Sequence, residues 1–282
     1  MKTELSRLER RIRERFVKAF VTYRLLEDGD HVLVGLSGGK DSLCLLEMLA
    51  WRSKIDRPRF SVEAAHVRME NISYETSTDY LEQFCHDLDV PLHIVTTCFS
   101  HSLPSPSSPS PSSPSPSSSS SPSPSGFAYA EAPPRPSTLP SPSREKPVCF
   151  LCSWHRRKQL FNLAQTLGCN KIALGHHQDD LLHTALMNLF FQGRFGTMPA
   201  RLQMKKMPLA IIRPLCLIEE TDISRYAELR HYEKQVKLCP YEHDSQRTAM
   251  RHLYEELKTI NHEVRYSMWN ALAREGKLIE ES

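Results

Sequence analysis

Three short runs carry residue types that can do chemistry together. Ser37-Gly38-Gly39-Lys40-Asp41-Ser42 joins two hydroxyls, two adjacent glycines, a cation and a carboxylate. Glycines let the backbone approach an anion, free amides at a helix start point at it, and a lysine adds a mobile charge. That is chemistry for phosphate, although the spacing is not the G-x-x-x-x-G-K-[ST] of the Walker loop. Gly175-His176-His177-Gln178-Asp179-Asp180 places two carboxylates at a second helix start. A carboxylate there can hold a Mg²⁺ that bridges phosphates, or it can serve only as an acidic helix cap. His176 and His177 lack an i,i+4 histidine partner, and His183 lies too far along for the common zinc spacing, so His177 reads as positional. Cys149-Phe150-Leu151-Cys152, with Cys239 far downstream, is a set of soft ligands. It can be part of a zinc site with His243 as a further donor, a redox pair at a strand-to-helix turn, or three thiolates on an iron–sulfur cluster. The remaining cysteines, Cys44, Cys85, Cys98, Cys169 and Cys216, lie in apolar or periodic contexts and read as core or indifferent surface.

The elements around these runs must position them. The apolar run 31–36 predicts a buried strand leading into the 37–42 loop, and 43–49 predicts the helix that follows. Further strands are predicted at 60–67, 92–96 and 171–174. Helices are predicted at 76–88, at 153–167 with a stop at Gly168, and at 180–191 closed by Gly193. Beyond Ile211-Ile212-Arg213-Pro214, two more helices are expected at 219–230 and 245–258. Strands alternating with helices predict an α/β fold: a mostly parallel sheet with helices on both faces, plus a small C-terminal helical part. Ligands of such sheets bind at the carboxyl ends of the strands, so the 37–42 and 175–180 loops are expected on one rim.

At the N-terminus Leu5, Leu8, Ile12, Phe16, Phe20 and Tyr23 recur at helical spacing, with Arg10, Arg11, Arg13 and Lys18 between them as a solvated face. The expected division is an amphipathic helix over 1–27, an α/β domain over 28–101 and 146–215, an insertion over 102–145, and a helical region over 216–282. The insertion holds most of the 20 prolines and is otherwise mainly serine, with a small island at 126–130. It has too little apolar surface to offset its ordering entropy and reads as a disordered expansion.

The 282 residues suffice for one sizeable domain or a large and a small one, at 40% hydrophobic and 24% charged. A formal net charge of +3 gives no bulk argument for nucleic acid, which leaves any such role to a local basic surface. Lys2, Glu4, Arg7 and Arg10 break up any apolar leader, and no apolar run is long enough to span a bilayer. The expected compartment is the cytoplasm, where the 8 cysteines read as thiols or ligands rather than disulfides.

The hexapeptide at 37–42 resembles the PP-loop of the ATP pyrophosphatase superfamily. The order of all the runs resembles the tRNA 2-thiocytidine synthetase family within it. That resemblance is carried by the hexapeptide, by Cys149-x-x-Cys152-Ser153 with Arg156-Arg157, and by Gly175-His176-His177-x-Asp179-Asp180. Met198-Pro199, Ile212-Arg213-Pro214-Leu215 and Cys239 ahead of a helix extend it. It implies ATP-dependent tRNA thiolation, in which a base carbonyl oxygen is adenylated and sulfur then displaces AMP. It implies ATP bound by Ser37, Gly38, Gly39, Lys40, Asp41, Ser42, His66, Gly175, His176, Asp179 and Asp180. Catalytic roles fall to Lys40, Asp41, Asp180 and Arg156, with Mg²⁺ as the ion. It implies a [4Fe-4S] cluster on Cys149, Cys152 and Cys239, with zinc the alternative.

The partners implied are tRNA and a sulfur donor, either a cysteine desulfurase or sulfide, with a homodimer left open. Lys158, Arg194, Arg201, Lys205 and Lys206 are candidates for tRNA backbone contacts. The chain departs from the family at Ala65-His66-Val67-Arg68-Met69, where an Asn-Leu-Asp type of sequence is usual, and in its Ser/Pro insertion. It lacks the extra zinc-finger cysteine pairs of the 2-thiouridine enzymes. Two other functions fit parts of the pattern: adenylation for attack by an amine, as in lysidine synthetases, and a non-enzymatic ATP-binding redox sensor.

Overall fold

The computed structural model describes residues 2–70, 72–74, 77–98, 148–238 and 246–280. The insertion at 102–145, Thr76, Cys239 and His243 lie outside the described residues, and so does the side chain of Cys149. The chain opens with α1 (Lys2–Tyr23), β1 (Asp30–Gly35), α2 (Lys40–Ser53), β2 (Phe60–Met69), β3 (Ser73–Tyr74), α3 (Asp79–Leu88) and β4 (Leu92–Thr97). It continues with α4 (Val148–Thr166), β5 (Lys171–Ala173), α5 (Gln178–Gln192), β6 (Arg201–Gln203) and β7 (Ala210–Ile212). The last elements are α6 (Glu220–Leu229), β8 (Lys237–Leu238), α7 (Gln246–Ile260), α8 (Val264–Arg274) and β9 (Ile279–Glu280).

Seven strands form one sheet in the order β4-β2-β1-β5-β7-β6-β9. Its pairs are parallel except β6 with β7. The central strand β1 carries Val32, Leu33 and Val34, all fully buried, in register with Val62 on one side and Ile172 on the other. A strand buried on both faces needs this continuous apolar run rather than alternation. Because β1, β2 and β5 run the same way, their carboxyl ends share a rim, and the loops after them meet there.

The apolar stripe of α1 is buried at Leu8, Ile12, Phe16, Phe20 and Tyr23. Its polar side departs from the expected solvated face. Arg10 and Lys18 are exposed, but Arg11 pairs with Asp222 of α6, and Arg13 stacks on Trp51 at 4.4 Å. The α4 helix also corrects an expectation. It begins at Val148, five residues before the predicted start, so Cys149 and Cys152 lie inside its first turns. A redox pair at a strand-to-helix turn is therefore not the local geometry. Among the described residues, no helix is long and apolar enough to cross a membrane.

Candidate active site

The loop between β1 and α2 folds onto itself through its two serines. Ser42 Oγ accepts the Ser37 N–H at 3.2 Å and donates to the Gly39 carbonyl at 2.9 Å. Gly39 N–H donates to Ser37 Oγ at 3.3 Å. Gly38 takes φ +81°, a conformation glycine adopts without strain. A Cβ there would also lie 2.6 Å from Cβ of Gln235, whose backbone N–H donates to the Gly38 carbonyl at 3.0 Å. Lys40 Nζ sits between Asp41 at 2.9 Å and Glu220 at 3.3 Å. Burial disfavours its charge, but the two carboxylates outweigh that and raise its pKa, so it stays a cation.

The 175–180 loop meets this one backbone to backbone. A Cβ on Gly175 would stand 3.1 Å from the carbonyl carbon and oxygen of Asp41 and from the Ser42 nitrogen. Glycine is what permits that approach. The two loops, with α6 and α7, enclose a cavity of about 440 Å³ lined by Ser37, Asp41, Ser42, Asp180, Glu220 and Arg247 among others. Asp180 Oδ2 accepts the His177 N–H at 3.2 Å, the capping role open to it from sequence, while Oδ1 lies 3.9 Å from Arg247. The His177 ring is buried between Asp179 and Asp180, 3.7 and 3.5 Å away, which is a positional place. Both His176 and His177 line the cavity. His176 accepts from Arg213 Nε at 3.2 Å, and burial, then the Arg213 charge, hold its pKa down at about 4.

Asp179 is turned away from the cavity. Its oxygens accept from the Glu220 N–H at 2.8 Å and from Arg265 at 2.6 Å. Burial would raise its pKa, but those donors lower it on balance, so the carboxylate stays charged. Asp179 thus acts through Glu220, tying the starts of α5 and α6 to α8. Among the described residues, no three acidic, histidine or cysteine groups converge to hold a metal unaided. Mg²⁺ needs only one or two carboxylates when phosphates and water complete its shell, so Asp41, Asp180 and Glu220 fit that ion with a bound polyphosphate.

His66 is 2% exposed at the end of β2. Its Nδ1 lies 2.7 Å from the Leu36 carbonyl, which can only accept, so Nδ1 carries the proton. Nε2 is then a buried lone pair without a partner among the described residues. Burial is the main cause of a lowered pKa there, and the charges of Arg156 and Arg68 add to it. Arg156 is therefore near His66 rather than lining the cavity. Residues 152 and 156 recur on one face of α4 by helical period.

Cys152 packs with Leu151 against Met69 and Ile72 at the end of β2. The next residue, Ser73, pairs with Leu238, which immediately precedes Cys239. The ladder thus brings the approach to the third cysteine to the corner where Cys152 sits. The Cys152 thiol at this corner is a soft donor of the type an iron–sulfur cluster takes. The other cysteines agree with their expected places: Cys44, Cys85, Cys169 and Cys216 are buried and Cys98 is exposed. Burial pushes the Cys85 thiol up to about 12, which makes it inert.

No local signal marks Arg247 and Arg251, which line the cavity from α7, or His183 as a lining residue. Glu220 had a weak signal, the acidic pair at a helix start. The arginines had none, because nothing local tells which helix returns over the rim.

No protein-family model matches the chain. Curated relatives do. The tRNA-cytidine(32) 2-sulfurtransferase of Paraburkholderia xenovorans (strain LB400) is 31% identical over 271 residues, covering 96% of this chain and 70% of the relative. That of Bordetella avium (strain 197N) is 31% identical over 272 residues, covering 96% and 75%. The chain belongs to the tRNA-cytidine(32) 2-sulfurtransferase family. Its fold is shared with the U34-tRNA thiolase NcsA from Methanococcus maripaludis, solved with its [4Fe-4S] cluster. That structure has a TM-score of 0.63 and 24% identity, covering 93% of this chain and 78% of the other.

Proposed function

We propose that this chain uses ATP to replace the C2 oxygen of a tRNA cytidine with sulfur, at position 32 as in its relatives' name. The observation that carries the reading is a single rim. The phosphate-type loop, the 175–180 loop and the corner holding Cys152 all stand at the carboxyl ends of parallel strands.

Oxide is a poor leaving group, so the base oxygen must first be activated. Its attack on the α-phosphorus forms an O–P bond and breaks the bond to pyrophosphate. Sulfur then forms a C–S bond at C2 while the C–O bond breaks and AMP departs. The chain's residues divide this work. The amides of the 37–42 loop and the charge of Lys40 hold and neutralise the phosphates. Asp41, Asp180 and Glu220 would hold Mg²⁺, which when bound adds charge neutralisation on the phosphates. The His66 Nε2 lone pair is an acceptor for the exocyclic amine of adenine, and Arg156 beside it adds positive charge. Cys149, Cys152 and Cys239 would hold a [4Fe-4S] cluster, which with three protein ligands supplies one open soft coordination position. The sulfur comes from sulfide, or from the persulfide of a cysteine desulfurase with a two-electron thiol reductant that brings it to the sulfide level. The paired cysteines weigh against adenylation for attack by an amine, which has no use for them.

The test is anaerobic purification with a metal count, then mass spectrometry of tRNA nucleosides after incubation with ATP and sulfide. About four iron atoms per chain are expected, with 2-thiocytidine formed by the wild type. Cys152→Ala should lose both the iron and the thiolation while still binding ATP. Stoichiometric zinc with no iron, or undiminished thiolation by Cys152→Ala, overturns the reading.

A further inference from the structure

Two arginines of α7 reach a cavity to which neither the motifs nor the family name assigns them. Met250 and Tyr254 anchor α7 on its buried side. Residues 247 and 251 are one turn apart and share a face. Both line the same cavity as Ser37 and Ser42 of the phosphate-type loop.

Their present partners are informative. Arg251 Nη2 pairs with Glu220 at 2.6 Å, and the other oxygen of the same carboxylate is 3.3 Å from Lys40. Arg247 faces Asp180 at 3.9 Å. A carboxylate held jointly by the loop lysine and an arginine from the opposite wall occupies the position of an anion between two cations. Burial opposes the charge on Glu220, and the cations Lys40 and Arg251 outweigh it and hold the carboxylate ionised.

We infer that Arg247 and Arg251 form a clamp for the two terminal phosphates of ATP, and that Glu220 holds Arg251 and Lys40 until the phosphates take its place. The inference rests on the ATP reading above and adds the residues that receive the leaving group. When the α-phosphorus is attacked, the bond to the bridging oxygen breaks and its electron pair stays on pyrophosphate. Guanidinium groups aimed at that developing charge stabilise it through paired N–H donors, which a lysine matches only as a point charge. Placement favours nucleotide phosphate over RNA backbone phosphate, because the two arginines share their cavity with the loop serines and Arg251 shares its carboxylate with Lys40.

The experiment measures binding of MgATP, of AMP and of inorganic pyrophosphate with Mg²⁺ by calorimetry, without RNA. It uses the full chain as wild type, Arg247→Ala, Arg251→Ala and Arg251→Lys. Loss of a charged pair of hydrogen bonds corresponds to roughly tenfold in affinity. Each alanine variant should weaken MgATP and pyrophosphate by about that factor and leave AMP unchanged. Arg251→Lys should recover part of the loss. Circular dichroism and iron content should match wild type, so that misfolding is not the cause.

Equal losses for AMP and ATP, or unchanged pyrophosphate binding, overturn the clamp. If wild type binds no MgATP, the ATP reading itself fails, which is a separate outcome. Glu220→Gln tests the exchange. In the absence of divalent cations it should bind pyrophosphate more tightly than wild type, and weaker binding overturns that part.

Discussion

His176 shows how the cavity controls charge at a single residue. Burial removes water from the ring, and the Arg213 guanidinium beside it opposes a second positive charge, so its pKa falls to about 4. In the unfolded chain a histidine titrates near 6.5, roughly as a free side chain does. Between these values the unfolded state binds a proton that the folded state refuses. Stability therefore rises with pH across this window and is lost as pH falls from about 6.5 towards 4. The full difference is on the order of 3 kcal/mol. Urea denaturation at stepped pH should show this loss in the wild type and a flatter profile in His176→Gln. Identical profiles would mean that the folded ring takes up its proton near the ordinary value. The neutral ring also has a use, because its Nδ1 lone pair keeps Arg213 turned towards the 175–180 loop.

At the scale of elements, the helix after the phosphate-type loop is held by a carboxylate that faces inward. Glu47 of α2 accepts from Tyr226 at 3.0 Å and from Tyr232, and pairs with Arg230 at 2.6 Å. Burial first, with Glu47 contributing, raises both phenols, so they remain donors. Glu47→Ala leaves two buried hydroxyls and a cation without their acceptor, and a loss of about 3 kcal/mol is expected in urea denaturation. Glu47→Gln keeps an acceptor and should lose less. A loss under about 0.5 kcal/mol for the alanine variant, the level of an ordinary surface change, would show the network to be unimportant.

This network also marks where sequence reading stops. The strand, loop and helix from Asp30 to Ser53 were legible because their signals are local: an apolar run, two glycines and a helical pattern. So was the common rim, which follows from parallel strands. The partners of Glu47 lie 179 and 185 residues away, and no local pattern pairs them. The same holds for Arg247 and Arg251, whose sequence reads as an ordinary basic helix start. The start of α4 was misplaced for a different reason. Ser153 resembles a helix cap, but the Cys-Phe-Leu-Cys run before it is already helical.

For the whole molecule, the decisive fact is that one apolar core takes residues from both ends of the described chain. Leu8 of α1 and Leu278 just before β9 belong to the same buried cluster, together with Tyr226 of α6 and Tyr254 of α7. The C-terminal strand closes the sheet through parallel pairing with β6, and the Leu278 carbonyl accepts the Ala200 N–H at 2.7 Å. Helices that share a core and a sheet with the nucleotide-type loop cannot lose their packing without exposing surface in the rest. The chain should therefore unfold in one cooperative transition. Tryptophan fluorescence reports from Trp51 on α2, Trp154 on α4 and Trp269 on α8, and far-ultraviolet circular dichroism reports on all the helices. The two signals are expected to share one midpoint in urea. Leu278→Ala removes a side chain that is 3% exposed and should lower that shared midpoint, at a cost of about 2–4 kcal/mol. Separate midpoints, or a Leu278→Ala effect confined to one probe, would show that the C-terminal helices fold on their own account. In that case Arg247 and Arg251 would sit on an independently folding part, and the cavity would owe its shape to docking rather than to a shared core.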